Sequence, residues 1–210
     1  YFPFLVDIEG KNIRIVGGGK VAARKVRIMA EYGAHLFVTA PAVEETIRLL
    51  ASDIENQIVI DERDFAESDL DDMDFVIAAT ASEALNCEVG RLCGQRKIPV
   101  NVVDMEQECD FIFPAIIKEQ DLLVAISTGG KSPLFAAWLK KELRRHIPAF
   151  YGKLVEGLGS CRENILQNVL QPAQRKRIFG ELIERGISRG GELTDEDVRA
   201  VTEKNVRGNR

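Results

Sequence analysis

Five short apolar, β-branched runs punctuate the first half of the chain: Ile13–Val16, Leu36–Thr39, Ile58–Ile60, Phe75–Ala79 and Val100–Val103. Apolar residues at helical spacing separate several of them. Val21, Val26, Ile28 and Met29 follow the first run, Val43, Ile47, Leu49 and Leu50 the second, and Leu85, Val89 and Leu92 the fourth. Most of the strand runs are apolar without alternation, which marks strands buried on both faces. Strands of that kind alternating with helices predict a parallel sheet with right-handed crossovers. An α/β, Rossmann-like domain is therefore expected over residues 1–113.

Beyond it the pattern changes. Phe111–Ile117 and Leu122–Ser127, separated by the polar residues Lys118–Asp121, predict a hairpin whose first strand is confined to an edge or bulge by Pro114. A helix from Pro133 to about His146 completes a small α+β segment over 114–147. From Tyr151 only helical patterns remain, such as Ile165–Leu170 and Ile178–Ile183. Thr194 and Asp197 are spaced as a capping box. Residues 148–210 are read as a helical region whose end, Val206–Arg210, is expected to fray.

Composition narrows the class. Of the 210 residues, 45% are apolar and 29% charged, the balance of a soluble globular protein. No apolar run reaches the roughly 20 residues that span a bilayer, and "YFPFLVDIEGK" lacks a basic leader, so a cytoplasmic location without membrane partners is expected. Cys87, Cys93, Cys109 and Cys161 have neither zinc nor redox spacing and read as free thiols. Neither His35 nor His146 has a metal-like partner in sequence, and no metal site is assigned. The net charge is −5, yet Lys131–Arg189 holds 12 Lys or Arg against 5 Glu and no Asp. Such a basic segment is either a solvated helical face or a surface for a polyanion. No nucleic-acid motif accompanies it, so nucleic acid is not expected as partner.

The sharpest local signal is Gly17-Gly18-Gly19-Lys20-Val21-Ala22 after the first strand run. This G-x-G-x-x-A at a strand-to-helix junction fits a dinucleotide site: a tight turn at Gly17, close backbone approach to a pyrophosphate at Gly19, and close helix packing at Ala22. The helix N-terminus offers unpaired N–H groups to the anion. The acid that normally holds the ribose at the end of the second strand is missing. Thr39-Ala40-Pro41-Ala42 stands there, so Thr39 or the loop backbone is expected to hold the ribose, with Glu44 or Glu45 as a displaced substitute. Ala79 and Thr80, ending the fourth strand run, are expected at the nicotinamide half.

A second glycine turn, "ISTGGKSP" from Ile126 to Pro133, invites comparison with a phosphate-binding P-loop. Ala125 stands where the first glycine of G-x-x-x-x-G-K-[ST] is required, and Pro133 lacks an N–H to donate. The turn is not assigned to a nucleotide.

Taken in order, Tyr1-Phe-Pro3, "VGGGKVAARK", the "AAT" ending at Thr80, Leu85-Asn86, "VNVVD" ending at Asp104, "FIFPA" ending at Ala115 and "STGGKSP" resemble the precorrin-2 dehydrogenases. That family includes the dehydrogenase-chelatase module of siroheme synthase. The resemblance covers residues 1 to about 147, and with no methyltransferase segment in the sequence the stand-alone form is expected. It implies NAD as cofactor, hydride removal from precorrin-2 to give sirohydrochlorin, and in some members iron insertion into that product. It also implies a homodimer built on the Asp110–His146 segment, with Phe111, Phe113, Phe135 and Trp138 as expected aromatic anchors.

On this resemblance the second turn borders the tetrapyrrole cleft. Thr128, Gly129, Gly130, Lys131 and Ser132 then supply N–H groups, hydroxyls and a cation to substrate carboxylates. Asp104, expected at the sheet's carboxyl edge, is the candidate base; Asn101, expected on the same strand face, is a hydrogen-bonding support. The alternative activities are a bifunctional dehydrogenase and ferrochelatase or, in a different class, a non-catalytic nucleotide-sensing module.

Overall fold

A computed structural model describes residues 1–53 and 55–207. They form two compact units, Tyr1–Phe113 and Pro114–Arg210. In the first, β1 (Asn12–Val16), β2 (His35–Thr39), β3 (Ile58–Asp61), β4 (Phe75–Ala78) and β5 (Val100–Val102) form a sheet in the order β3-β2-β1-β4-β5. Every pair in it is parallel. The order reverses between β1 and β4, the switch point where open α/β sheets leave a crevice for ligands.

Helices α1 (Lys20–Ala30), α2 (Glu45–Ser52) and α3 (Glu83–Arg96) make the crossovers. Ile13, Ile15, Val26, Leu36, Val38, Ile47 and Ile77 are fully buried on the α1–α2 face, while Val76, Val89, Leu92 and Val100 pack on the α3 face. Coverage of both faces explains why these strands lack polar alternation. Three strands end one residue away from expectation: β3 continues to Asp61, and β4 and β5 stop at Ala78 and Val102.

The second unit opens with the antiparallel hairpin β6 (Ala115–Glu119) and β7 (Leu122–Ile126). Its loop is Gln120-Asp121, with Gln120 at positive φ. The first strand does not begin at Phe111, as expected, because residues 109–111 return along β5. Asp110 N–H donates to the Val100 carbonyl, and Val100 N–H to the Asp110 carboxylate. Helix α4 (Pro133–Arg144) is capped by Ser132, whose hydroxyl accepts from the Phe135 N–H, and has Pro133 at its first position. Arg144 pairs with Glu119, tying α4 to β6.

The remaining helices, α5 (Phe150–Asn168), α6 (Pro172–Ser188) and α7 (Asp195–Arg207), bury Ile165, Val169, Ile178, Leu182 and Val201 between them. The capping box is present: the Asp197 carboxylate accepts from Thr194 N–H and the Thr194 hydroxyl takes the Asp197 N–H. Arg185 and Arg189 also converge on Asp197. Helix α7 runs through Val206 to Arg207; residues 208–210 of the segment expected to fray lie outside the described residues.

Candidate functional site

Parallel register aligns the strand ends, with Val16 level with Thr39 and Ala78, and Ala78 level with Val102. The chain therefore leaves β1, β2, β4 and β5 along one edge, bringing Gly17, Ala40, Ala79 and Val103 into a row. Gly17 has φ +125°, and an added Cβ would strike the Ala79 carbonyl. Its N–H donates to the Thr39 carbonyl at 2.9 Å. Gly18 is as constrained, since a Cβ there would strike the Ala42 carbonyl, whereas a Cβ on Gly19 meets nothing within 4 Å. The turn is thus pressed into the fold at Gly17 and Gly18 and open at Gly19.

Gly19 caps α1 without a side chain, and no acid occupies the first turn. Lys20 and Val21 are exposed there, while Ala22 is fully buried against the sheet. Opposite the glycines lies an open cleft of about 390 Å³ lined by Gly18, Gly19, Ala42, Val43, Glu44 and Glu45. A bare helix N-terminus facing such a cleft fits an anionic pyrophosphate.

Thr39 does not face this cleft. It is 1% exposed, and its hydroxyl accepts from buried Arg14 at 2.7 Å. Arg14 also donates to Asp61 and to the Asp69 carbonyl. The expected ribose contact at Thr39 is corrected accordingly: its carbonyl braces Gly17 and its hydroxyl belongs to the arginine. Ala40 is buried too; Pro41 and Ala42 carry the exposed backbone of this loop.

At the end of β4, Ala79 is buried and Thr80 half-buried. Thr80 N–H and hydroxyl both donate to the Asn86 side-chain carbonyl, at 3.0 and 2.7 Å, and the Asn86 amide returns a bond to the Thr80 carbonyl. Asn86 thereby holds the exit loop shut.

At β5, the Met105 N–H closes a turn onto the Val102 carbonyl and puts Asp104 at φ +62°. Aspartate tolerates this left-handed conformation better than most residues. Asp104 is exposed on the carboxyl edge. Asn101 does not share a strand face with it: the two are three residues apart, an odd spacing that alternates faces, and β5 already ends at Val102. Its side chain is buried and donates to the Phe111 carbonyl at 2.9 Å, clamping the returning chain.

That return also decides the aromatics. Phe111 packs edge-on against Phe75, with centroids 5.7 Å apart, and Phe113 lies under the Lys25 ammonium, 3.3 Å from its centroid. Both belong to the first unit's own packing and not to an exposed anchor surface. Lys25 is 7% exposed. Burial, with help from neighbouring Arg24, lowers its pKa from 10.5 to about 8.

The unfolded chain keeps this proton to higher pH than the folded one, so Lys25's contribution to stability improves as pH rises from about 8 to 10.5. The desolvation cost at pH 7, on the order of 3 kcal/mol, exceeds the ~1–2 kcal/mol of the cation–π contact. Lys25→Met keeps the stem's volume and is expected to stabilise the first unit by ~1 kcal/mol at pH 7. Thermal melts at pH 7 and pH 10 check this, the advantage shrinking at the higher pH.

In the second unit, Gly129 and Gly130 adopt φ +60° and +81°. Two of the three N–H groups expected to serve a ligand are used inside this turn: Gly129 N–H donates to the Ser127 hydroxyl and Lys131 N–H to the Thr128 carbonyl. The Thr128 hydroxyl accepts from Ser132 N–H. Among the described residues, the Gly130 N–H, the exposed Lys131 ammonium and the hydroxyl protons of Thr128 and Ser132 remain as donors. Also among the described residues, no three His, Cys, Asp or Glu are grouped as metal ligands. No helix there is long and apolar enough to cross a membrane.

A family model described as putative NAD(P)-binding matches residues 4–115, more than half of the chain. A second, described as sirohaem biosynthesis protein central, matches residues 120–146. The chain belongs to this putative NAD(P)-binding family, and its match continues into the sirohaem biosynthesis segment. Siroheme synthase of Pseudomonas paraeruginosa is 39% identical over 186 residues, 89% of this chain and 39% of that protein. The siroheme synthase of Pseudomonas fluorescens SBW25 is 35% identical over 207 residues, 97% of this chain and 44% of that protein. The chain thus spans about two fifths of these relatives' length. Among solved structures, one titled SirC, precorrin-2 dehydrogenase, shares the fold with a TM-score of 0.74 at 23% identity, covering 99% of this chain and 100% of that one.

Within this family chain, sequence reasoning missed the buried cations Arg14 and Lys25. Arg14 was visible as a charge inside the apolar run Ile13–Val16. Nothing in the spacing signals that Lys25 turns inward.

Proposed function

We propose that this chain is an NAD-dependent dehydrogenase of precorrin-2, acting in the cytoplasm and yielding sirohydrochlorin. The observation that carries the reading is the single carboxyl edge, which holds both the open glycine turn and, two residues beyond β5, the exposed Asp104. NAD, when bound, supplies the hydride acceptor. Gly19 and the first N–H groups of α1 hold its pyrophosphate, and the backbone of Pro41 and Ala42 holds the ribose. The Ala79–Thr80 exit, fixed by Asn86, leaves small side chains beside the nicotinamide half.

Asp104 takes the proton that departs with the hydride. Lys131, Gly130, Thr128 and Ser132 bind the tetrapyrrole's carboxylates, and the basic segment that starts at Lys131 draws the polyanion in. The test is to incubate the protein with NAD and precorrin-2 and follow sirohydrochlorin absorbance; no NAD-dependent product would refute the assignment.

The same reading includes a homodimer. Leu134, Phe135 and Trp138 are 83%, 51% and 54% exposed, on one side of α4, with Phe135 and Trp138 stacked 5.6 Å apart. An apolar patch of this kind is the expected centre of an isologous interface. Sedimentation at micromolar concentration is expected to give a dimer, and Trp138→Glu a monomer. A fully active wild-type monomer would refute it.

A further inference from the structure

The dinucleotide reading leaves one question open: what discriminates NAD from NADP when the acid that ordinarily ends β2 is absent. Thr39, in that place, is buried and bound to Arg14. The next acids along the chain are Glu44 and Glu45, and both line the cleft opposite the glycine turn. Their position is fixed, because Glu44 N–H donates to the Gly18 carbonyl at 2.8 Å. The start of α2 is thereby tied to the turn that faces the pyrophosphate.

The lining of the cleft contains these two acids and no base. The guanidiniums around the ends of β2 and β3 are each committed to a carboxylate. Arg14 pairs with Asp61 at 3.1 Å, Arg48 with Glu62 through two bonds of 2.6 Å, and Arg63 with Asp69 at 2.8 and 2.5 Å. A ribose hydroxyl is a donor that a carboxylate accepts, whereas a 2′-phosphate is a dianion that a carboxylate repels. A 2′-phosphate here would meet two carboxylates and, in the lining of the cleft, no cation to offset them.

We propose that Glu44 and Glu45 are the residues that select NAD over NADP, accepting from the adenosine ribose hydroxyls and excluding the 2′-phosphate. They do the work of the missing strand-end acid from the first residues of the following helix. This assignment rests on the dinucleotide reading, and its test needs no tetrapyrrole.

The full chain is titrated with NAD and with NADP by calorimetry, as wild type, as the double variant Glu44→Gln/Glu45→Gln, and as Glu45→Arg. Wild type is expected to bind NAD at least ~100-fold more tightly than NADP. The double variant is expected to cut that ratio by ~10-fold or more, chiefly through tighter NADP binding, and Glu45→Arg to tighten NADP further. Both sites are at the surface end of a helix, and circular dichroism verifies folding. A folded double variant that keeps the wild-type ratio, or a wild type that binds both dinucleotides alike, overturns the assignment. Wild type binding neither overturns the dinucleotide reading itself, and the selectivity with it.

Discussion

Gly19→Asp is expected to leave a folded protein that binds NAD at least ~100-fold more weakly. Three local facts combine to give this outcome. Gly19 has φ −82° and ψ −172°, a backbone any residue adopts. An added Cβ there meets open space. The position is the N-cap of α1, where aspartate is among the preferred residues and costs no helix stability against glycine. The new carboxylate would fold back onto the first N–H groups of α1, which are the donors assigned to the pyrophosphate, and set a like charge beside it.

Losing those bonds and adding repulsion accounts for ~3 kcal/mol or more, hence the hundredfold. The melting temperature should be unchanged or slightly higher. Gly17→Ala is the contrasting control: at φ +125° and against the Ala79 carbonyl, it is expected to damage the fold. Calorimetry of NAD binding to folded Gly19→Asp checks the placement, and near-wild-type affinity would refute it.

Asp104→Asn is expected to lower the dehydrogenase kcat by ~10²-fold or more with NAD affinity nearly unchanged. Asparagine is the informative substitution here because Asp104 sits at φ +62°. Asparagine tolerates that conformation at least as well, so the turn closed by Met105 and Val102 survives; alanine would add backbone strain and confuse the result. What is removed is the proton acceptor alone.

If the substrate's drive toward a conjugated ring carried the reaction and water took the proton, the loss would be only a few-fold, and Asp104 would be a positioning group. Steady-state kinetics of the folded variant distinguish these outcomes, with iron insertion assayed separately. Unchanged rates in both reactions would remove Asp104 from the mechanism.

Much of this was legible from local pattern. Continuous apolar runs between helical periods specify a two-faced parallel sheet, because only strands covered on both sides need no polar alternation. The glycine turn was legible because a close backbone approach admits few residues. Gly17 and Gly18 meet carbonyl oxygens where a Cβ would stand, a constraint written directly into residue type. The capping box at Thr194 and Asp197 was legible for the same reason, both partners lying within one turn of helix.

Contacts between residues distant in sequence were decided only by the tertiary structure. Thr39 and Ala40 stand side by side and read alike as ribose contacts, yet Arg14, 25 residues from Thr39, claims the threonine hydroxyl inside the sheet. Asn101 reads as a strand-end ligand, but its partner is the Phe111 carbonyl, brought to it when the chain doubles back along β5. The same reversal moves Phe111 and Phe113 out of the expected hairpin and onto Phe75 and Lys25. The sequence by itself therefore determined the elements, their order and the glycine turn, all set by residues within one or two turns of each other. Which polar groups remain free at the carboxyl edge depended on pairings across 10 to 47 residues, such as Asn101 with Phe111 and Arg14 with Asp61, and these exist only once packing has brought the partners together.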